Sequence, residues 1–219
     1  MEPMNKTNFF FRQNGVSFSR CFVSTPICCV SRATILTGLY AHNHGTTNNS
    51  LTGGCNGERW RKDLEPLTFA VNLKKRGYRT FYAGKYLNTY GNRWAGGASH
   101  VPTGWDWWYG LVGNSRYFNY TLSVNGNPKH FGQRPEDYLT IVLENLTRNF
   151  LETAALNANE TPFLAVVATP APHAPFTPAP KYSKYFKEIN APRISNYNKI
   201  SPDKHWIVRD KQPMTSDIK

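Results

Sequence analysis

Helical and strand-like segments alternate along this chain of 219 residues, and that alternation limits the fold more than composition does. Apolar residues at helical spacing predict helices over residues 67–76 and 137–156. An alternating pattern predicts a strand over residues 78–83, and the continuous apolar run 162–168 predicts a strand buried on both faces. The alternation indicates an α/β fold with a largely parallel central sheet flanked by helices, where ligands collect at strand ends.

The segment around a pair of adjacent cysteines is the first place where chemistry is expected. We predict a short helix over residues 6–13, a strand over 16–23 and a helix over 31–40. Cys28 then lies where a strand leads into a helix, which is a common position for catalytic groups. Residues 90–130, rich in Gly, Trp and Tyr, break the pattern and predict a long connection or a small antiparallel insert.

The charge balance favours an anionic ligand. The net charge is +12, from 26 Lys and Arg against 14 Asp and Glu, as in proteins that bind a polyanion. No zinc-finger spacing or other recognition motif for nucleic acid is present, so nucleic acid is not the expected partner. No stretch approaches the roughly 18 uncharged apolar residues that a membrane span requires. With 40% apolar and 18% charged residues, we expect a globular protein with one domain.

Signals for the cellular compartment conflict. The apolar run 9–11 is too short for the hydrophobic region of a secretory signal, so we expect no signal peptide in these residues. Five Asn-x-Ser/Thr motifs nevertheless predict N-glycosylation, at Asn5, Asn48, Asn119, Asn145 and Asn159. Four cysteines, at positions 21, 28, 29 and 55, permit three disulfide connectivities and leave the compartment open. The conflict, and the lack of a closing strand or helix after residue 178, indicate an incomplete chain.

Residues 25–38, TPICCVSRATILTG, carry the most informative motif. It resembles the signature of the sulfatase family, C-x-P-S-R followed by a helix and T-G, whose first cysteine is oxidised to the aldehyde formylglycine. Cys28 matches the formylglycine position, Arg32, Thr37 and Gly38 match as they stand, and Val30 replaces the proline of the family. The resemblance implies a formylglycine-generating enzyme as a partner. Without the resemblance, a cysteine pair at the start of an ordinary helix explains the segment equally well.

Five further blocks extend the resemblance from about residue 6 to residue 219 and point to the branch of N-acetylglucosamine-6-sulfatases. They are FYAGKYLN at 81–88, HVPTGWDWWYG at 100–110, NSRYFNYTLSVNG at 114–126, ATPAPHAPF at 168–176 and DKHWIVR at 203–209. The branch implies an alkaline-phosphatase-like fold, with residues 1–219 forming part of the catalytic domain without its first strand and C-terminal part. It implies removal of 6-sulfate from glucosamine units of heparan or keratan sulfate, in the lysosome or after secretion. Cell-surface heparan endosulfatases, which share the cysteine block and DKHW, are an alternative.

The resemblance assigns chemistry to individual residues. A hydrated aldehyde at Cys28 offers one hydroxyl to attack the sulfur atom and a second whose ionisation releases the sulfate. Arg32 would steady the hydrate, Lys85 would hold the sulfate oxygens, and His173 would protonate the leaving oxygen of the sugar. The plain alternatives are a solvated lysine at position 85 and a histidine that only caps a turn at position 173.

Two further groups are candidates for sugar contacts. By resemblance, Lys204 and His205 would bind the sulfated sugar; the alternative is a surface position beside a buried Trp206. A group of aromatic residues would stack on sugar rings, although aromatic residues at such density more often form a core. That group comprises Trp105, Trp107, Trp108 and Tyr109.

The resemblance also implies one calcium ion, bound by residue 28 as formylglycine and by two pairs of Asp, Asn or His residues. No Asp-Asp pair precedes Cys28 and no Asp-His-Gly sequence follows it, so we expect an incomplete calcium site. We therefore expect these 219 residues alone to be weakly active or inactive as an enzyme. The alternative from another class is a noncatalytic fragment that binds glycosaminoglycans through the basic clusters 74–76 and 181–187.

Overall fold

The computed structural model describes residues 4–156, 160–185, 189 and 192–210, apart from the side chain of Ile207. The chain divides into two compact units, Met1–Thr177 and Pro178–Lys219, and each is described by itself. In the described part of the chain, the first unit holds the whole sheet and every helix longer than four residues. None of the described helices combines the length and the apolar character needed to span a membrane.

A single sheet forms the centre of the first unit. Its strands are β1 Arg79–Lys85, β2 Trp107–Leu111, β3 Tyr120–Val124, β4 Asn127–Phe131 and β5 Phe163–Ala168. The strand order is β4-β3-β2-β1-β5. β1 pairs in parallel with β2 and β5, whereas β3 is antiparallel to both β2 and β4. The predicted α/β fold is confirmed, and the hairpin of β3 and β4 makes the sheet mixed.

Helices lie against both faces of this sheet. The α-helices of the described chain are α1 Asn5–Thr7, α2 Cys28–Thr37, α3 Ala41–His44, α4 Phe69–Lys75, α5 Leu139–Ala155 and α6 Trp206–Arg209, the last in the second unit. On one face, α2 and α4 share a buried cluster with Tyr82 and Trp108. On the other face, Phe150 of α5 stacks on Phe81, with ring centroids 4.6 Å apart. Successive residues of β1 thus face opposite layers, as the pleat of a strand requires.

The aromatic group near β2 is part of the core. Trp105, Trp108 and Tyr109 are buried, and Trp108 has no exposed surface. The indole N–H of Trp108 donates to the Tyr90 hydroxyl at 2.7 Å. Trp107 packs edge-on against a phenylalanine of α5. The core alternative is therefore confirmed, and stacking on sugar rings is wrong for the three buried residues.

Residues 16–23 form no strand, so that prediction is wrong. Val16 and Phe18 are each 79% exposed, and no strand of the described chain pairs with the segment. An alternating pattern does not form a strand by itself, because the backbone groups of a strand need a neighbouring strand. Cys28 consequently follows an irregular segment, with Ile27 in an extended conformation directly before α2.

The apolar strand β5 is an edge strand in the described chain, and its predicted burial on both faces is wrong. Phe163 is 42% exposed and Val167 is 43% exposed. A continuous apolar run does not distinguish a central strand from an edge strand, because the burial of a strand depends on what packs against each of its faces.

Element boundaries elsewhere lie close to the predicted ones. α2 begins at Cys28, three residues before the predicted start, and Gly38 ends it in the left-handed region with φ 73°. The predicted antiparallel insert is present as the hairpin of β3 and β4, whereas β2 was not predicted.

Candidate active site

A cavity of about 490 Å³ lies at the start of α2. Cys28, the first residue of this helix, lines it with an unpaired and partly exposed thiol. The neighbouring Cys29 is buried in a disulfide with Cys55, which selects one of the three connectivities and leaves Cys21 unpaired as well. The backbone N–H of Cys29 donates to Oδ1 of Asn49 at 2.8 Å, which satisfies one free donor at the helix start. Apart from Cys28, the polar lining residues are Ser31, Arg32, Tyr82, Lys85, Ser115 and His173.

Arg32 lies one helical turn after Cys28 and connects α2 to the end of β1. Its Nη1 donates to the carbonyl oxygen of Lys85 at 2.6 Å, and the hydroxyl of Tyr82 donates to the same oxygen at 2.5 Å. Burial raises the pKa of Tyr82 to about 12, with Arg32 opposing the shift, so the phenol stays protonated and remains a donor. The hydrogen bond from Arg32 holds the start of α2 beside the carboxyl end of β1, and the bond from Tyr82 fixes the same carbonyl oxygen from within β1.

Lys85, the last residue of β1, lines the cavity although it is only 2% exposed. Its Nζ donates to Oδ1 of Asn114 at 2.7 Å and to Oγ of Ser115 at 3.4 Å. Burial lowers the pKa of Lys85; its contact with Cys28 opposes that shift, and the charge of Arg32 adds to it. The alternative of a solvated surface lysine is therefore wrong.

His173 reaches the cavity from a turn that follows β5. Its carbonyl oxygen accepts a hydrogen bond from the hydroxyl of Tyr117 at 2.5 Å, and its Nδ1 lies 2.7 Å from the carbonyl oxygen of Ala174. Because a carbonyl oxygen only accepts, Nδ1 carries a proton. Nε2 is then the ring atom left for a ligand, so these turn contacts are compatible with a role in binding or proton transfer.

Lys204 and His205 belong to the second unit, directly before α6. Nζ of Lys204 pairs with the Asp203 carboxylate at 3.3 Å, and the ring of His205 lies 5.4 Å from that of Trp206. Trp206 is 58% exposed, so the alternative of a surface position beside a buried Trp206 is wrong as to the burial of this tryptophan. The sugar contacts of Lys204 and His205 stay predictions.

The surface predictions have a mixed outcome. The predicted glycosylation sites that the structure describes are exposed, namely Asn5, Asn48, Asn119 and Asn145, while Asn159 lies outside the described residues. In the first basic cluster, Lys75 and Arg76 are exposed, but Lys74 pairs with Asp106 at 2.6 Å. The second cluster extends to Lys187, which also lies outside the described residues.

A family model described as Sulfatase matches residues 2–215 of the chain. The chain belongs to the sulfatase family. Among the relatives of this sulfatase chain is the N-acetylglucosamine-6-sulfatase of Homo sapiens, 48% identical over 219 residues that cover 99% of this chain and 39% of that protein. The Bos taurus N-acetylglucosamine-6-sulfatase is 47% identical with the same coverage. The extracellular sulfatase SULF-1 homolog of Drosophila melanogaster is 36% identical over 96% of this chain and 18% of its own length.

A solved structure supports the sulfatase fold. The structure of yidJ from Bacteroides fragilis superposes with a TM-score of 0.55 at 22% identity, over 80% of this chain and 40% of its own. The chain thus spans about 39% of the length of the N-acetylglucosamine-6-sulfatases that it matches.

Two polar residues of this sulfatase site were not predicted from the sequence. Asn114 and Ser115 follow β2 and contact the Lys85 ammonium because β2 lies in parallel beside β1. Their signal is a polar pair just after the apolar strand WWYGL. The sequence pattern does not separate strand Trp107–Leu111 from the connection predicted over residues 90–130, so the position of this polar pair at a strand end is visible only in the structure.

The described residues do not fit the calcium ion that sulfatases generally bind. Calcium takes six to eight oxygen ligands, several of them carboxylates. No Asp or Glu lines the cavity, and the part of the chain that the structure describes contains no cluster of three His, Cys, Asp or Glu residues able to hold a metal ion. The charged side chains that line the cavity are Arg32 and Lys85, which favour an anion over a cation.

Proposed function

We propose that this chain supplies the sulfate-binding part of a sulfuric ester hydrolase catalytic domain, which removes 6-sulfate from glucosamine units of heparan or keratan sulfate. One observation carries the proposal: Cys28, Arg32, Lys85 and His173, distant in sequence, line a single cavity. The similarity to N-acetylglucosamine-6-sulfatases over 99% of the chain supports the choice of sugar. Since the chain spans 39% of those proteins, activity of the whole protein is part of the proposal.

Residue 28 is the proposed nucleophile position. Cys28 is unpaired in the cavity, whereas Cys29 is held in a disulfide, so Cys28 is the cysteine whose conversion to formylglycine by a formylglycine-generating enzyme fits the site. The hydrated aldehyde would supply two geminal hydroxyls, one to attack sulfur and one to lose a proton and release sulfate.

The neighbouring side chains stabilise charge and move a proton. The Lys85 ammonium, fixed by two hydrogen bonds, lies where it can hold the nonbridging oxygens of a sulfate ester. The guanidinium of Arg32 adds a second positive charge beside residue 28. Nε2 of His173, when protonated, can donate to the sugar oxygen as the bond between sulfur and that oxygen breaks.

Calcium and the cellular location complete the proposal. We propose that a calcium ion would use residue 28 together with ligands other than those the structure describes, and no step above depends on it. Exposed glycosylation motifs, and relatives named as extracellular sulfatases, support a lysosomal or secreted location.

Mass spectrometry of the chain made in a secretory host tests the proposal. Conversion of Cys28 lowers the mass of the tryptic peptide between Arg20 and Arg32 by about 18 Da. Because that peptide contains three cysteines, the loss should persist in Cys21→Ser and disappear in Cys28→Ala.

An unmodified Cys28 thiol in every preparation would reject the aldehyde chemistry. Binding of glucosamine 6-sulfate, compared with N-acetylglucosamine, provides the second readout and should be lost in Lys85→Met. Retention on heparin that does not depend on 6-sulfation and is unchanged in Lys85→Met would instead favour a noncatalytic glycosaminoglycan-binding protein.

A further inference from the structure

Uncharged side chains hold the ammonium group of Lys85, and Asn114 makes the shortest of these contacts. Oδ1 of Asn114 accepts from Nζ at 2.7 Å, compared with 3.4 Å for Oγ of Ser115. The same Oδ1 accepts the backbone N–H of Ser115 at 2.8 Å, which fixes the orientation of the carboxamide. Asn114 therefore presents an oxygen, already anchored to the backbone, to the buried cation.

A carboxylate is the usual partner of a buried lysine, and none contacts Lys85 among the residues that the structure describes. Fully buried charges cost free energy unless they are paired, which is why buried lysines normally contact Asp or Glu. No ion pair among the described residues includes Lys85, and no acidic side chain lines its cavity. Burial disfavours the charged form of Lys85, its contact with Cys28 favours it, and no carboxylate of the described residues neutralises it.

We propose that Asn114 is a positioning residue that fixes the Lys85 ammonium without neutralising it, so that its full charge attracts the sulfate group. The inference rests on the proposed function of the cavity. An aspartate at position 114 has nearly the same shape and accepts the same hydrogen bonds, but it forms an ion pair with Lys85 and competes with sulfate for the ammonium.

The exposure of the Asn114 side chain argues against a role in packing. Asn114 is exposed and belongs to neither core cluster, so its side chain contributes little to packing. A purely structural hydrogen bond to Lys85 is kept, or strengthened, in Asn114→Asp. A role that depends on neutrality predicts weaker anion binding in that variant.

Calorimetric titration with sodium sulfate tests the proposal, with sodium chloride as the ionic-strength control. Asn114→Asp should weaken sulfate binding by about tenfold or more, because an ion pair replaces a neutral contact. Asn145→Asp, a matched charge change on the exposed side of α5 on the opposite sheet face, should leave the affinity unchanged. Thermal unfolding should show no loss of stability in Asn114→Asp.

The outcomes separate the two proposals. Sulfate binding of Asn114→Asp equal to that of the original chain overturns the role of Asn114 and leaves the sulfate site intact. No sulfate binding by the original chain, or binding unchanged in Lys85→Met, overturns the proposed site and this inference with it. If Asn114→Asp does not fold, Asn114→Leu decides: it removes the oxygen that positions Lys85, so unchanged sulfate affinity would reject the inference.

Discussion

The carbonyl oxygen of Lys85 accepts hydrogen bonds from both Arg32 and Tyr82, and these bonds connect the cavity to the stability of the core. Tyr82 is buried, and its ring stacks on Trp108. Its hydroxyl can donate only while protonated, and burial favours that neutral form. The ionisation of one phenol should therefore be visible in the stability of the whole unit.

We predict that Tyr82→Phe reduces the loss of stability at alkaline pH. The pKa of Tyr82 is raised to about 12 in the folded state, against about 10 in the unfolded state. Its stabilising contribution is thus complete below about pH 10 and is lost as the pH rises toward about 12. In urea unfolding, the original chain should lose about 1 kcal/mol more than the variant between about pH 8 and about pH 11. Equal losses in both proteins would contradict the shifted pKa.

The sequence allowed only part of this residue-scale description. Cys28, Arg32, Lys85 and His173 were predicted from their motifs, because residue type and spacing are explicit in a sequence. Asn114 was not predicted, since its role depends on the parallel pairing of β2 with β1.

At the scale of elements, α2 is held at its start by covalent and polar contacts. The disulfide between Cys29 and Cys55 spans 26 residues, and both cysteines are fully buried. Oδ1 of Asn49, which lies in the same loop as Cys55, accepts a hydrogen bond from the backbone N–H of Cys29. The loop from α3 to Cys55 therefore fixes where the helix presents Cys28 to the cavity.

We predict that the double variant Cys29→Ala/Cys55→Ala loses about 3 kcal/mol of unfolding free energy, as expected for closure of a loop of this length. Urea unfolding measures the loss, with Cys21→Ser as a control because Cys21 is exposed and unpaired. That control should stay within about 0.5 kcal/mol of the original chain. A double variant as stable as the control would show that the disulfide does not constrain the unfolded chain.

The bounds of most elements were predicted well, whereas the pairing of strands and the exposure of their faces were not. α5 and β1 lie within two residues of their predicted ends because a full amphipathic or alternating pattern specifies them. Residues 16–23 carry a similar pattern, but no neighbouring strand in the described chain satisfies their backbone. β5 was predicted as a strand and not as an edge, because a sequence does not state what covers a face.

For the whole molecule, charge is the property that composition expresses most directly. The chain carries a net charge of +12, and the cavity adds Arg32 and Lys85 without a lining carboxylate. An anion should therefore stabilise the folded state, whereas a divalent cation finds no carboxylate cluster among the described residues.

We predict that sodium sulfate raises the thermal stability of the chain and that calcium chloride does not. At ten times its Kd, sulfate should contribute about 1.4 kcal/mol through preferential binding to the folded state. Thermal unfolding measures both effects, with sodium chloride at equal ionic strength and Lys85→Met as controls. Stabilisation by calcium that is reversed by a chelator would contradict the described site, because it would require ligands that the cavity does not present.

The sequence by itself determined the family, the α/β class, the charge and the motif residues, because each depends on residue identity and local order. The tertiary structure alone decided the disulfide partner of Cys29, the burial of Lys85 and its contact with Asn114. These features join residues that are 26 to 29 positions apart. Such contacts form only when β1 and β2 pair and α2 packs on their face, and no local pattern specifies them.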